Sequence, residues 1–258
     1  MPRLGIAFLL CVGMAFALSP PIRAQMSDQL EREHFGSIAP GQYQAGDSVH
    51  FMLDRYRNDP SHAEFLLRFQ GQPEVYVLYA DYGSLGGSVL RYDSGAIAIQ
   101  IAGWGGMTIY TDDDPDGLPA TRTGDSNPPS PPSVSLSQMQ GAADDEASHL
   151  GYVRNVHVSF TADWGALGSD SGLRAIAFDA MENAARGIDR FTANPAARAA
   201  FVQRVTTIHM QTNDRPLIRL TGKTLIVTFN PRDGYQGRAS SRAISFALGK
   251  LFSIPMPN

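Results

Sequence analysis

The feature that most constrains this chain is a run of short apolar segments between Glu64 and Tyr110, separated by glycine-rich breaks. Glycine and Asp-Ser-Gly breaks supply the positive φ angles that hairpin turns need. Short strands at such regular spacing are typical of an antiparallel meander, which the sequence therefore predicts here. The five predicted strands are 65–69, 75–80, 89–92, 96–101 and 107–110, and 49–53 is a predicted strand ahead of them.

The segment 96–101 has the alternation of a half-buried strand. Ile97, Ile99 and Ile101 alternate with smaller or polar residues. Because successive side chains of a strand point to opposite faces, we expect the three isoleucines to face the core.

The chain begins with a segment that has the order of a secretory signal peptide. Arg3 is followed by an uncharged apolar run, Leu4 to Leu18, and a small residue precedes Gln25. This order predicts a signal peptide over residues 1–24, cleaved after Ala24, and hence a periplasmic or secreted protein. The run is short for a membrane span of about 20 residues, so a retained anchor is the second interpretation.

The single cysteine, Cys11, lies inside the predicted signal peptide. A mature chain that starts at Gln25 would be free of cysteine, which excludes disulfides, thiolate ligands and a cysteine nucleophile. No later apolar run approaches membrane-spanning length. We therefore predict a mature protein without a transmembrane span.

The domain organisation is predicted from shifts in composition. Residues 25–48 are polar and broken by glycine, and are predicted to form a flexible leader. Residues 49–258 are predicted to form a single α+β unit, with two small domains as the alternative. Within this unit a segment rich in Asp, Gly and Pro, near 111–134, is predicted to be an extended linker.

The C-terminal half mixes predicted helices and strands. Apolar residues at three- and four-residue steps predict the strongest helix over 172–191, with capping residues just ahead of it. Asn194-Pro195 begins another predicted helix. The remaining predicted elements are helices over 135–149 and 239–252 and strands over 153–160, 206–210, 217–220 and 224–229. The predicted fold class is therefore α+β, an antiparallel meander followed by mixed helices and strands.

The formal net charge of −4 conceals an uneven distribution. Residues 25–150 hold six basic and eighteen acidic side chains, a net charge of −12, and residues 151–258 hold thirteen basic and seven acidic, a net charge of +6. The basic residues are scattered rather than clustered as a nucleic-acid surface requires, so no nucleic-acid partner is predicted. We favour contact between the acidic and basic halves over a basic surface for an anionic partner.

The most specific local motif is acidic. Asp112, Asp114 and Asp116, followed by Gly117, match the opening of a calcium-binding loop, in which alternate carboxylates converge on one hard cation. The twelfth position counted from Asp112 is Thr123, where such loops have a bidentate glutamate. Calcium is thus a candidate ligand of the three aspartates, and a solvated acidic turn is the alternative.

Trp104 lies among three glycines in the break 103–106. An exposed tryptophan there would be a ligand-binding residue for a saccharide or a peptide. A buried one would cap the sheet, and burial is favoured because large aromatic side chains bury so much area.

No familiar catalytic pattern is present in the sequence. None of the six histidines has another histidine three or four residues away, as a helical zinc motif requires. There is also no Gly-x-Ser-x-Gly nucleophile motif. These observations favour a non-catalytic protein over an enzyme.

The segment Gly103–Tyr110, which reads Gly-Trp-Gly-Gly-Met-Thr-Ile-Tyr, and the helical stretch Ala177–Arg190 carry a resemblance to a known family. Together they resemble an uncharacterised family of exported alphaproteobacterial proteins, a domain of unknown function. The resemblance covers most of the mature chain. It implies a signal peptide and an envelope location, and it supplies no activity or catalytic residue.

We therefore expect a non-catalytic binding or assembly role in the cell envelope. An envelope protein or a saccharide is the candidate partner. The alternative is a periplasmic hydrolase whose catalytic residues come together from separate strands.

Overall fold

The computed structural model describes His34, residues 38–59 and residues 62–256. The predicted signal peptide and half of the predicted leader, residues 25–33 and 35–37, lie outside the described residues. In the N-terminal half, eight antiparallel strands in sequence order form a closed barrel, in which β1 pairs with β8. The strands are β1 (Gly41–Ala45), β2 (Val49–Asp59), β3 (His62–Phe69), β4 (Val75–Tyr82), β5 (Ser88–Tyr92), β6 (Ile97–Ile101), β7 (Met107–Ile109) and β8 (Leu118–Gly124).

The predicted meander is confirmed as β3 to β7, and large apolar side chains fill the barrel. Its fully buried members include Phe51, Leu53, Phe65, Leu67, Leu78, Leu90 and Ile99. Of the three isoleucines expected to face the core, Ile99 is buried, Ile101 is half-buried and Ile97 is 37% exposed. The pairing register shifts between Leu90 and Arg91, so that Arg91 pairs with Ile97. Because such a bulge re-aims side chains, strict alternation fails at the start of β6.

Two segments that the sequence predicts to be irregular contain strands. β1 lies inside the predicted leader, and β8 lies inside the predicted linker. Both have few large apolar residues, so periodicity does not reveal them. β1 pairs with β2 and β8 pairs with β7, and β1 and β8 also pair with each other, Gln44 with Thr121 and Ala45 with Ala120, which closes the barrel.

The C-terminal half is an α/β unit with five α-helices, one short 3-10 helix (Gly234–Gly237) and four strands among its described residues. Its sheet has the order β11-β12-β10-β9, in which β10 is parallel to β9 and β12 while β11 is antiparallel to β12. The fold class is α+β, as predicted. The elements are α1 (Leu136–Arg154), β9 (Ser159–Ala162), α2 (Trp164–Ser169), α3 (Ser171–Thr192), α4 (Pro195–Arg204), β10 (Thr207–Thr212), β11 (Leu217–Thr221), β12 (Thr224–Phe229) and α5 (Ser241–Phe252).

The prediction of a strand over 153–160 is wrong for most of that segment. α1 continues to Arg154, whose side chain donates a hydrogen bond of 2.6 Å to Asp189 of α3. The helix then ends at Asn155, which adopts a left-handed conformation with φ of 54°. Only β9, from Ser159, has strand pairing.

The amphipathic helix predicted over 172–191 is confirmed as α3. Asp170 caps it by accepting hydrogen bonds from the backbone N–H groups of Gly172 and Leu173. α3 packs closely on α5, because a Cβ atom at Gly187 would lie 2.6 Å from the Ile244 side chain. Among the described helices, including α3, none is both long enough and apolar enough to cross a membrane.

Candidate anion-binding cleft

One end of the barrel contacts the α/β unit through three of its loops. Connections in an antiparallel meander leave the barrel at alternate ends, so the β3–β4, β5–β6 and β7–β8 connections share one end. We call this the docking end. Its three loops supply one carboxylate each, those of Glu74, Asp93 and Asp112, to the first residues of α5 and their neighbours.

The first two carboxylates bind consecutive serines. Asp93 accepts hydrogen bonds from the backbone N–H (2.7 Å) and the hydroxyl of Ser240. Glu74, only 1% exposed, accepts hydrogen bonds from the backbone N–H (2.7 Å) and the hydroxyl (2.6 Å) of Ser241. These carboxylates bind backbone N–H groups that helix geometry leaves without intrahelical partners, at the positive end of the helix dipole.

The third carboxylate is shared by two arginines. Arg242 of α5 donates a hydrogen bond of 2.6 Å to Oδ1 of Asp112, and Arg190 of α3 donates one to Oδ2. The Arg242 guanidinium also lies 4.4 Å from the centre of the Tyr92 ring. A guanidinium has five N–H donors, and within the described chain only one nitrogen of each arginine is hydrogen-bonded.

The two arginines line an open cleft of about 840 Å³ between the barrel and the α/β unit. We call it the arginine cleft. Arg91 is a third cation in its wall, and Asp112 is the carboxylate among them. The apolar part of the lining includes Ala96, Ile97, Tyr110, Pro115, Phe246 and Met256. The cleft therefore combines an excess of positive charge with an apolar surface, which suits an organic anion.

Two buried hydroxyls lie at or beside this cleft. Ser245, one turn beyond Ser241 on α5, lines the cleft and is 2% exposed. Within the described residues neither the Ser245 hydroxyl nor that of Tyr92 has a hydrogen-bond partner. Since buried polar groups in folded proteins are almost always paired, the Ser245 hydroxyl marks a position where a ligand group would find a partner.

The charge states of these groups are fixed by their surroundings. Burial opposes the charge of Arg190, but the adjacent Asp112 outweighs it and raises the Arg190 pKa. Burial raises the pKa of Tyr92 to about 12. Desolvation also raises the pKa of Asp93, although part of that residue remains exposed, and the hydrogen bonds from Ser240 act in the opposite direction. At neutral pH Arg190 is thus charged, and the Tyr92 phenol beside the cleft is neutral.

The aspartates of the predicted calcium motif have different environments. Asp112 pairs with Arg190 and Arg242, whereas Asp114 accepts a hydrogen bond on its carbonyl from the N–H of Gly117 (3.1 Å). Among the described residues, no three His, Cys, Asp or Glu side chains are grouped as metal ligands. The calcium site of Asp112, Asp114 and Asp116 stays a prediction of the sequence.

Trp104 lies in the β6–β7 connection, at the end of the barrel opposite to the docking end and the arginine cleft. The expectation that it is buried is wrong, since Trp104 is 84% exposed. The neighbouring β4–β5 connection presents Leu85, which is also exposed. A ligand-binding role for Trp104 stays a prediction.

Contact between the acidic and basic halves is present at the docking end. Of the eight ion pairs between described residues, the two that join these halves are both made by Asp112. Sequence reasoning identified Asp112 for a different chemistry and missed Glu74, Asp93, Arg190, Arg242 and Ser245. The signal that could have drawn attention was Ser240-Ser241-Arg242, a polar triplet at the start of an apolar helix.

Comparison with protein families gives one result. The family model described as a domain of unknown function, DUF4908, matches residues 21–248. The chain belongs to this family. The DUF4908 match confirms the resemblance to an uncharacterised domain family, and it spans both the barrel and the α/β unit, including Asp112, Arg190 and Arg242. Searches of curated proteins and of solved structures gave no significant match.

Proposed function

We propose that this DUF4908 protein is a non-catalytic binding protein of the cell envelope that takes a small organic anion in the arginine cleft. The observation that carries the proposal is the meeting of Arg190 and Arg242 at an open, partly apolar cleft. The envelope location rests on the signal-like sequence of residues 1–24.

Charge and shape favour binding of an anion there. Hydrogen bonds between a guanidinium and an oxyanion are about twice as strong as neutral ones, and both arginines retain unbonded N–H donors within the described chain. The side chains of Arg190 and Arg242 are 32% and 13% exposed, so both guanidinium groups are partly desolvated. An anion in the cleft would therefore meet donors that water satisfies only in part.

Binding is favoured over hydrolysis because the cleft offers no nucleophile with a base among the described residues. A serine nucleophile needs a general base within hydrogen-bond reach, and the Ser245 hydroxyl has no partner in that part of the chain. The Ser241 hydroxyl has a carboxylate partner in Glu74, but both residues are buried in the contact that holds the barrel to α5.

The proposal is tested by calorimetric titration of the purified protein with decanoate, a carboxylate with an apolar tail. We expect decanoate to bind and decanol, which lacks the charge, to bind far more weakly. Arg242→Gln should weaken decanoate binding about tenfold or more, since one charge-assisted hydrogen bond is worth about 1.5–3 kcal/mol. Arg190→Gln should act in the same direction.

The matched control is Arg198→Gln on α4, an equal change of charge at a residue outside the cleft lining. It should leave decanoate affinity unchanged. Equal binding of decanoate by the wild type and both cleft variants, each shown to be folded by circular dichroism, would contradict the proposal.

A further inference from the structure

We infer that the Asp112 carboxylate occupies the position between Arg190 and Arg242 at which the ligand's carboxylate binds, and that the ligand binds by displacing Asp112. We call this position the seat. This inference rests on the proposed function of the arginine cleft. It assigns the ligand to the monocarboxylates with an apolar tail and makes the β7–β8 connection an internal competitor.

The seat fits a carboxylate because it already holds one. Each oxygen of Asp112 accepts a hydrogen bond from a different arginine, Oδ1 from Arg242 and Oδ2 from Arg190. The two guanidinium groups therefore bracket a single carboxylate. A ligand with the same head group would reproduce both hydrogen bonds without moving either helix.

The arginines are held by helices, whereas the carboxylate is held by a loop. Arg242 stacks on the Tyr92 ring, and its side chain is 13% exposed, against 50% for Asp112. The loop closes on itself beyond Asp112, since the N–H of Thr111 and the N–H of Gly117 both donate to the Asp114 carbonyl. Asp112 thus lies in a turn outside the ladders of β7 and β8, and its carboxylate can leave the seat without breaking strand pairing.

The surface beside the seat indicates the chemistry of the rest of the ligand. Ile97, Tyr110, Phe246 and Met256 supply apolar contact area in the same cleft. Ser245 adds one buried hydroxyl that is unpaired within the described chain, at a position where it would bond a polar group of the ligand. An apolar tail with a single acidic head matches this lining better than a polyanion, because Asp112 is replaced by one carboxylate only.

While the Asp112 carboxylate occupies the site between the two arginines, the ligand's carboxylate cannot bind there. Only the fraction of molecules in which Asp112 has left the site is competent to bind, so Asp112 lowers the apparent affinity for the ligand. Removing it should therefore strengthen binding. If Asp112 instead serves to position the two arginines, removing it should weaken binding. The sign of the change separates the two roles.

The experiment is the decanoate titration repeated with Asp112→Asn and with Asp113→Asn, both in the full chain. We expect Asp112→Asn to bind decanoate about tenfold more tightly, through loss of the intramolecular competitor. Asp113 is exposed, and among the ion pairs of the described residues it contacts neither arginine. Asp113→Asn therefore changes the net charge as Asp112→Asn does, without removing a contact to Arg190 or Arg242. This variant should stay within about twofold of the wild type, which bounds the long-range electrostatic contribution.

A second measurement does not depend on either variant. In the wild type, hydrogen exchange of residues 110–117 should become faster when decanoate is added, because the loop loses its two ion pairs. Slower exchange there, or equal or weaker binding by Asp112→Asn, would overturn the inference. If Arg242→Gln still weakens decanoate binding about tenfold or more in that case, the proposed function stands. Absence of binding in the wild type and both aspartate variants would remove the inference together with the proposed function.

Discussion

Tyr92, the last residue of β5, has its ring beneath the guanidinium of Arg242 and a buried hydroxyl. The residue is 2% exposed, and its hydroxyl has no hydrogen-bond partner among the described residues. A buried polar group left unpaired costs about 1–3 kcal/mol. The Tyr92 ring makes two aromatic contacts. Its centroid lies 5.2 Å from that of the Tyr76 ring, which it meets edge-on, and 4.4 Å from Cζ of Arg242, which lies over its face.

The pKa of Tyr92 makes its contribution dependent on pH. In the unfolded chain the phenol ionises near its ordinary pKa of 10, whereas burial raises the pKa to about 12 in the folded protein. Between these values the unfolded state binds fewer protons, so folding stability falls as pH rises through this window. The stability is fully retained below pH 10 and is not affected by acid through this group.

We predict that Tyr92→Phe raises the free energy of unfolding at neutral pH by about 1 kcal/mol, because it removes the unpaired hydroxyl and keeps the ring. It should also reduce the loss of stability above pH 10, because phenylalanine does not ionise. Urea unfolding at neutral and alkaline pH measures both effects.

Tyr43→Phe is the matched control for Tyr92→Phe. Tyr43 is 5% exposed, and its hydroxyl donates a hydrogen bond of 2.5 Å to the Ala39 carbonyl. The control should lower stability by about 1 kcal/mol, the usual net worth of such a bond. Destabilisation by Tyr92→Phe as large as that of the control would show that the Tyr92 hydroxyl is paired in solution.

At the scale of elements, the cap of α5 also connects this helix to the barrel. The Ser240 hydroxyl accepts a hydrogen bond from the Ala243 N–H, as a helix cap does, and donates one to Asp93 of the barrel. α1 begins with a comparable cap at Ser135, which forms a reciprocal pair of hydrogen bonds with Gln138. Within the described chain the side-chain hydrogen bonds around Ser135 stay at the start of α1, so the two caps differ in their contact with the barrel.

We predict that Ser135→Ala lowers the free energy of unfolding by about 1 kcal/mol, the usual value of a cap. Ser240→Ala should cost about 2 kcal/mol or more, because it also removes the hydrogen bond that the Ser240 hydroxyl donates to the Asp93 carboxylate. Denaturant unfolding of the two variants gives the difference directly. An equal loss of unfolding free energy in the two variants would mean that the Ser240–Asp93 hydrogen bond does not stabilise the contact between α5 and the barrel.

At the scale of the molecule, Arg238 connects the two halves from a buried position. It is 3% exposed, pairs with Asp179 of α3 and donates a hydrogen bond of 2.8 Å to the Val75 carbonyl of the barrel. Its guanidinium also lies 5.2 Å from the centre of the Tyr235 ring. A buried guanidinium is stable only with such partners, and the partners are equally dependent on it.

We predict that Arg238→Met lowers the free energy of unfolding by about 3–5 kcal/mol, because Asp179 then lacks its buried partner. Arg154→Met is the control, since it breaks the ion pair with Asp189 in which both side chains are about a quarter to a third exposed. That variant should cost at most about 1 kcal/mol. Similar costs for the two variants, measured by urea unfolding, would exclude a special role for Arg238 in joining the halves.

The sequence by itself determined the elements whose pattern is local. The meander from β3 to β7, the amphipathic α3 and the strands β11 and β12 all follow from periodicity and turn residues within a few positions of one another. The α+β class follows from the order of those elements. β1 and β8 escaped prediction because they hold few large apolar residues, and the pairing between them that closes the barrel joins residues as distant in the chain as Gln44 and Thr121.

Only the tertiary structure decided the arginine cleft. Asp112 has the local surroundings of a calcium motif, but its two arginine partners are 78 and 130 residues away. Glu74 and Asp93 are likewise ordinary loop residues until their hairpin ends meet the first turn of α5, 167 and 147 residues further on. A local pattern reports the neighbours of a residue in the chain, whereas charge pairing depends on distance in space. Closing the barrel and packing α3 against α5 set those distances, and so decided which chemistry Asp112 takes part in.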